Sequence, residues 1–309
     1  MKKILPLGLI AAVFAFFALT DSQSWAATVA ATSKVCPTAN FPDLSQSAGA
    51  GEGYAKPTIS VTCSKSELKV SSNGMISFPF EKKTPNSLTG QSWNWSVPLK
   101  PVKAKSVTSI KNVMGTLGFT VSGLPIYGPT EGQMPAAQAF GDPVYNKILD
   151  TCGGHTGPGR EYHHHAITLA EQCNLSKQTV LGYALDGFPI YTTLGCLDKK
   201  CTKTALMKSG YVKTGDPTKN TWDAYTYKAA KATTTLDSCN GRTQSDGSYG
   251  YHATTDFPYI IGCFTGTATF PKGRAAGAMP PMGGAMPPMG GAMPPMGGAM
   301  PPMGGPAKP

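Results

Sequence analysis

The chain repeats part of itself, and that repetition limits its possible folds more than any other feature of the sequence. "LGFTVSGLPIY" at 117–127 aligns without gaps on "LGYALDGFPIY" at 181–191, with six identical positions. Further on, "LDTCGGHTGPGREYHHHAIT" at 149–168 aligns on "LDSCNGRTQSDGSYGYHATT" at 236–255, nine of twenty positions matching. The blocks keep their order, so one supersecondary unit is used twice. The first pair is offset by 64 residues and the second by 87, which leaves a 23-residue insertion in the second half. It contains Cys196 and Cys201 with Lys199, Lys200 and Lys203.

The duplication also organises the cysteines. There are eight, an even number, and no Cys-x-x-Cys pair. This argues for disulfides over a structural zinc ribbon or a thioredoxin-like redox centre. Cys152 aligns with Cys239, and each is followed by another cysteine at a similar distance, Cys173 and Cys263. The expected bridges are therefore Cys152–Cys173 and Cys239–Cys263. Cys196–Cys201 staples the insertion, and Cys36–Cys63 ties down the N-terminal segment.

Both duplicated blocks look like strands running into Gly/Pro turns. "TISVTC" and "LKVSSNGMISF" are rich in β-branched and apolar residues, and Asn73-Gly74 is a hairpin-turn signal. With 36 Gly and 27 Pro the chain is poorly suited to a helical domain. Short helices are expected only around "PAAQAF" and "LAEQC". The predicted fold class is mainly β, a single disulfide-braced domain over residues 54–272 built from two duplicated halves.

The ends differ from this body. Lys2 and Lys3 precede an apolar run, Ile4–Leu19, too short to span a bilayer; Ser24 and Ala26 then supply the small residues of a cleavage site. Residues 1–26 are read as a signal peptide, which makes the protein exported, periplasmic or secreted. No later run is apolar enough for stable membrane insertion. Residues 27–53 read as an N-terminal linker; Gly49, Gly51 and Gly53 in it lack the preceding strand that a dinucleotide site needs. At 273–309 a low-complexity tail carries "AMPPMGG" four times, a composition expected to be disordered. The formal charge is +10. Its lysines are scattered, with no basic stripe interleaved with aromatics, so nucleic-acid binding is not expected.

Four of the five histidines fall within 155–165, and the fifth, His252, aligns with His165. Along a strand, His163 and His165 share one face, while Tyr162 and His164 take the other. If the two halves pack about a pseudo-twofold axis, the imidazoles of His165 and His252 converge. The expected metal ligands are then His163, His165 and His252, with His155 as a fourth. The plainer alternative is that these rings only satisfy buried hydrogen bonds. Asp186-Gly187 reads first as a turn, and Asp150 and Asp237 as loop braces.

"LGFTVSGLPIYGP", "LDTCGGHTGPGREYHHHA", "LGYALDGFPIY", "LDSCNGRT" and "YGYHATTDFPYIIGCFTG" together resemble the YHYH proteins, named for a Tyr-His-Tyr-His signature. The resemblance spans roughly residues 60–266. Here the first signature reads Tyr162-His163-His164-His165, and the second reads Tyr249-Gly250-Tyr251-His252. The resemblance implies an exported protein and carries no reaction with it.

Eight of the thirteen methionines lie in the tail as Met-Pro-Pro-Met units. Thioethers favour copper, so the leading expectation is an exported copper-binding protein. Two other readings stand beside it. In one, a metal-dependent hydrolase uses the same histidines to hold zinc; in the other, a structural or surface interaction module holds no metal. Gly-x-Ser-x-Gly is absent, which disfavours a serine nucleophile.

Overall fold

The computed structural model describes residues 36–270, apart from 112, 133–140, 176 and 178. The signal-peptide segment, the repeat tail and the "PAAQAF" stretch lie outside the described residues. Seventeen short strands are described. They are β1 (Ile59–Cys63), β2 (Glu67–Ser72), β3 (Trp93–Pro98), β4 (Lys103–Ser109), β5 (Gly118–Thr120) and β6 (Pro125–Ile126). Next come β7 (Gly154–Thr156), β8 (Tyr162–His164), β9 (Val180–Ala184), β10 (Pro189–Tyr191), β11 (Leu194–Cys196) and β12 (Thr204–Leu206). The last are β13 (Tyr211–Lys213), β14 (Tyr225–Tyr227), β15 (Gly241–Thr243), β16 (Tyr249–His252) and β17 (Cys263–Gly266). The protein is thus mainly β; "LAEQC" forms only a 3-10 turn at Glu171–Cys173.

Eight strands form one sheet in the order β15-β16-β10-β9-β5-β6-β8-β7. Its middle is the antiparallel pair β5–β9. Outward on one side, β5 pairs antiparallel with β6, β6 parallel with β8, and β8 antiparallel with β7. On the other side the same senses recur through β9, β10, β16 and β15. β5, β7, β8 and β16 are buried throughout their length, so most of this sheet lies inside the molecule.

A three-stranded meander, β1-β2-β3, covers part of it. Alternate residues Leu68, Val70 and Ser72 of β2 turn inward, as the period of two requires. Trp95 of β3 stacks on Phe119 of β5, with ring centroids 4.9 Å apart. Both are almost fully buried and belong to the same core as Leu181, Tyr251 and Phe264. Each such side chain contributes about 1.5–3 kcal/mol on leaving water, which is what fastens the meander down.

Cysteine pairing follows the sequence expectation: Cys36–Cys63, Cys152–Cys173, Cys196–Cys201 and Cys239–Cys263. Two equivalent braces accompany it. Tyr162 Oη donates to Asp150 at 2.9 Å, while Asp150 Oδ1 accepts the N–H groups of Cys152 and Gly154. Tyr249, Asp237, Cys239 and Gly241 repeat the arrangement. Asp150 and Asp237 are loop braces, as their positions suggested.

Two local expectations are corrected. Asn73-Gly74 does not turn a hairpin; the β1–β2 turn is at residues 64–66. Met75, Ile76 and Phe78 sink into a second core cluster instead of returning as a strand. Gly74 has φ 63° and faces the Trp93 indole, where a Cβ would come within 2.7 Å. Residues 36–53, read as part of a linker, lie against the domain. Asn40 Nδ2 donates to Tyr183 Oη at 2.7 Å, Phe41 stacks on the Tyr183 ring, and Leu44 and Ala50 are buried.

Candidate metal centre

The β7–β8 pair places the histidines. Its turn is short: Gly157 N–H donates to Glu161 O at 2.9 Å, and Arg160 N–H donates back to Gly157 O at 2.9 Å. In the resulting register His155 faces His163, and Gly154 faces His164. Gly154 has to be glycine, because a Cβ there would collide with the carbonyl of His163 and the hydroxyl of Tyr162. Alternation then sends Tyr162 and His164 to one face, with ring centroids 5.2 Å apart, and His163 and His165 to the other.

Three imidazoles and one carboxylate meet on that second face. Glu131 Oε2 lies 2.9 Å from His155 Nε2 and 3.0 Å from His165 Nε2. His163 Nε2 is 3.1 Å from His165 Nε2. One donor atom from each of the four residues lies within 4.8 Å of the others. A tetrahedral ion with bonds of about 2.0–2.1 Å sets its donors roughly 3.3–3.4 Å apart, so the short pairs must open slightly and pairs as wide as 4.8 Å must close for these residues to hold a metal.

The outer ring atoms decide what the inner ones can do. His155 Nδ1 lies 3.1 Å from Ile148 O, and His165 Nδ1 lies 2.6 Å from Gly128 O. A carbonyl only accepts, so each Nδ1 carries a proton, and the inward-facing Nε2 is left to hold a second proton or a metal ion. Lone pairs crowded around a carboxylate oxygen repel unless a cation, a proton or a metal ion, stands among them. Burial alone would raise the Glu131 carboxyl, but the adjacent His155 and His165 hold it well below the usual carboxylate range.

His163 is held differently. Its Nδ1 is buried without a hydrogen-bond partner among the described residues, and Glu161 Oε1 stands 3.8 Å away. The Tyr127 ring stacks on it at 3.9 Å, and the Tyr127 hydroxyl donates to Glu161 at 3.2 Å. Burial, followed by the neighbouring imidazoles His165 and His155, pushes His163 well below the ordinary imidazole value. The three clustered rings are 1–3 % exposed, whereas the Glu131 side chain is 28 % exposed. Glu131 thus stands on the solvent side of the cluster.

His252 does not join this group, contrary to the convergence expected from the sequence. Its Nδ1 contacts Thr192 O at 2.7 Å, as His165 contacts Gly128 O, so the two rings are held alike. Yet the sheet order puts β10, β9, β5 and β6 between β16 and β8. Five interstrand steps separate them by about 24 Å. His252 Nε2 instead faces the Gln244 amide, 3.1 Å away. His164 also stays outside the cluster, its Nδ1 on Cys152 O at 3.1 Å. Asp186 forms the expected turn, with Gly187 N–H on Ala184 O, and its carboxylate takes the Tyr251 hydroxyl rather than an imidazole.

Glu131 was not singled out from the sequence. It stands where the self-alignment runs out, four residues past "PIY" in the half that holds four histidines. An acid in the half where the imidazoles concentrate is the signal that could have found it.

The family model described as "YHYH protein" matches residues 94–266, more than half of the chain. No curated protein and no solved structure matches it.

Proposed function

The chain belongs to the YHYH protein family, and we propose that it is an exported protein that holds a transition-metal ion between Glu131, His155, His163 and His165. The observation that carries this reading is the inward-facing set of three imidazole nitrogens and one carboxylate oxygen, two of the rings oriented by backbone carbonyls. Outer hydrogen bonds of this kind fix the tautomer and aim the ligating nitrogen.

Copper is the ion we favour. Imidazole suits it, and the thioethers of the four Met-Pro-Pro-Met units of the tail favour it in its monovalent state. Export accords with the leader-like residues 1–26 and with eight cysteines, all of them paired. The matching strand senses either side of β5–β9 support descent of the two sheet halves from one duplicated unit.

Elemental analysis of protein purified from the exported fraction, without a nickel column, tests the reading. About one copper per chain is expected, lost in His165→Ala and taken up more slowly when residues 278–305 are deleted. Zinc, with turnover on ester or phosphate panels, would support the hydrolase instead. Protein that takes up neither metal would leave a structural module.

A further inference from the structure

The 23-residue insertion of the second half has no part in the metal centre, and it carries an unusual surface. It contains the β11–β12 hairpin, whose register pairs Leu194 with Leu206 and Cys196 with Thr204. Paired residues share a face, so Leu194 and Leu206 stand side by side, 52 % and 49 % exposed. Leu197, just past β11, is 43 % exposed. These three are the only leucines among the exposed large apolar residues described.

Cationic groups flank them. Lys199, Lys200 and Lys203 occupy the tip, all exposed, and none forms an ion pair among the described residues. Asp198, the one acid there, turns back into the loop. Its carboxylate accepts the N–H groups of Lys200, Thr202 and Lys203, at 3.0, 3.1 and 2.7 Å. The Cys196–Cys201 bridge closes this tip, and Ser245 Oγ ties it to the body through Asp198 O at 2.8 Å. Leu197 N–H donates to Lys203 O at 2.7 Å, which extends the ladder by one pair and turns Leu197 to the other face. The hairpin is therefore a braced projection with leucines on both faces and ammonium groups at its end.

We propose that this hairpin docks the protein onto an anionic lipid surface. Leucine flanked by lysine is a poor composition for a protein interface, whose buried centre is enriched in aromatics, Met and Arg and depleted in Lys. It suits the boundary of a bilayer, where aliphatic side chains enter the acyl region and ammonium groups meet anionic headgroups. The Leu194–Leu206 pair, with Leu197 beside the tip, makes a shallow contact, so attachment is reversible and sensitive to salt.

The test is sedimentation of the intact disulfide-bonded chain with phosphatidylcholine vesicles, with and without phosphatidylglycerol. Binding is expected only to the anionic vesicles and should weaken as salt is raised. Joint replacement of Leu194→Ser, Leu197→Ser and Leu206→Ser should weaken it by about tenfold or more. Joint replacement of Lys199→Gln, Lys200→Gln and Lys203→Gln should do the same. The lysine variant alters only exposed groups, and it decides the matter if the leucine variant does not fold. Equal binding by the lysine variant, equal binding to neutral vesicles, or no binding by the wild type would overturn the proposal. So would a wild-type dimer that the leucine replacements dissociate, since the hairpin would then bind a second copy. Metal content should be unchanged in both variants, so this result is independent of the ion bound at Glu131.

Discussion

His155 and His163 are register partners across the β7–β8 pair, and their rings stand 4.8 Å apart, nearly perpendicular. Their spacing is set by the backbone hydrogen bonds of the pair and requires no ion. His165 follows on the same face, its ring 4.9 Å from that of His163. Little side-chain ordering therefore remains to be done when a metal arrives, which favours tight binding.

Binding to the folded state alone raises stability by mass action, by about 2.7 kcal/mol at a hundredfold excess over Kd. For a domain of this size that corresponds to an increase in Tm of roughly 5–10 °C. Copper(II) should produce this shift in differential scanning fluorimetry, and a chelator should reverse it. His165→Ala should abolish it. His252→Ala should keep it, because that ring lies at the far side of the sheet.

The two equivalent disulfides should separate stability from metal binding. Cys152–Cys173 and Cys239–Cys263 close loops of similar length, with sequence separations of 21 and 24. Replacing either pair by serine should cost about 3 kcal/mol in urea unfolding. Only loss of Cys152–Cys173, which anchors the loop leading to His155, should also weaken metal uptake in a titration.

Tyr162→Phe makes the same separation with a single atom. Tyr162 is fully buried, and its hydroxyl donates to the buried Asp150 carboxylate, which holds the Cys152 and Gly154 amides. Removing that donor should cost about 1–3 kcal/mol. Tyr249→Phe should cost a similar amount through Asp237. Isothermal titration should show a lower metal affinity only for Tyr162→Phe.

The pH dependence of stability should carry a signature of His252. Burial pulls this imidazole down to about 4, with Arg242 adding to the effect and the bond to Thr192 O opposing it. The unfolded chain, with an ordinary histidine, takes up the proton first as pH falls. This contribution is therefore complete above about pH 6.5, is lost progressively toward pH 4, and is level below that. Its full size is on the order of 3 kcal/mol. Urea midpoints measured from pH 4 to 7 should fall less steeply in His252→Gln than in the wild type.

Local features of the fold could be read from the sequence because they depend on spacing along the chain. The alternation of His163 and His165 against Tyr162 and His164 follows from the period of a strand, and the bridges follow from the matched positions of Cys152 and Cys239. What could not be read depends on how strands are ordered. Self-comparison makes His165 and His252 equivalent without saying where equivalents lie, and the β5–β9 join sends them to opposite ends of one sheet. Glu131 was hidden for a related reason: it lies past the end of the aligned block, and only the fold brings its loop beside the imidazoles. Asn73-Gly74 carries a valid turn signal. The apolar Met75, Ile76 and Phe78 outweigh it by entering the core.

The place that aligns with His155 is held in the other half by Arg242, whose guanidinium reaches Met207 Sδ and Cys196 O. A fixed positive charge thus stands where the first half offers an imidazole nitrogen, and Gly250 leaves nothing in place of His163. An arriving cation would meet repulsion there and too few donors. The folded body is consequently expected to take up one ion per chain and not two, although the strand senses repeat either side of β5–β9.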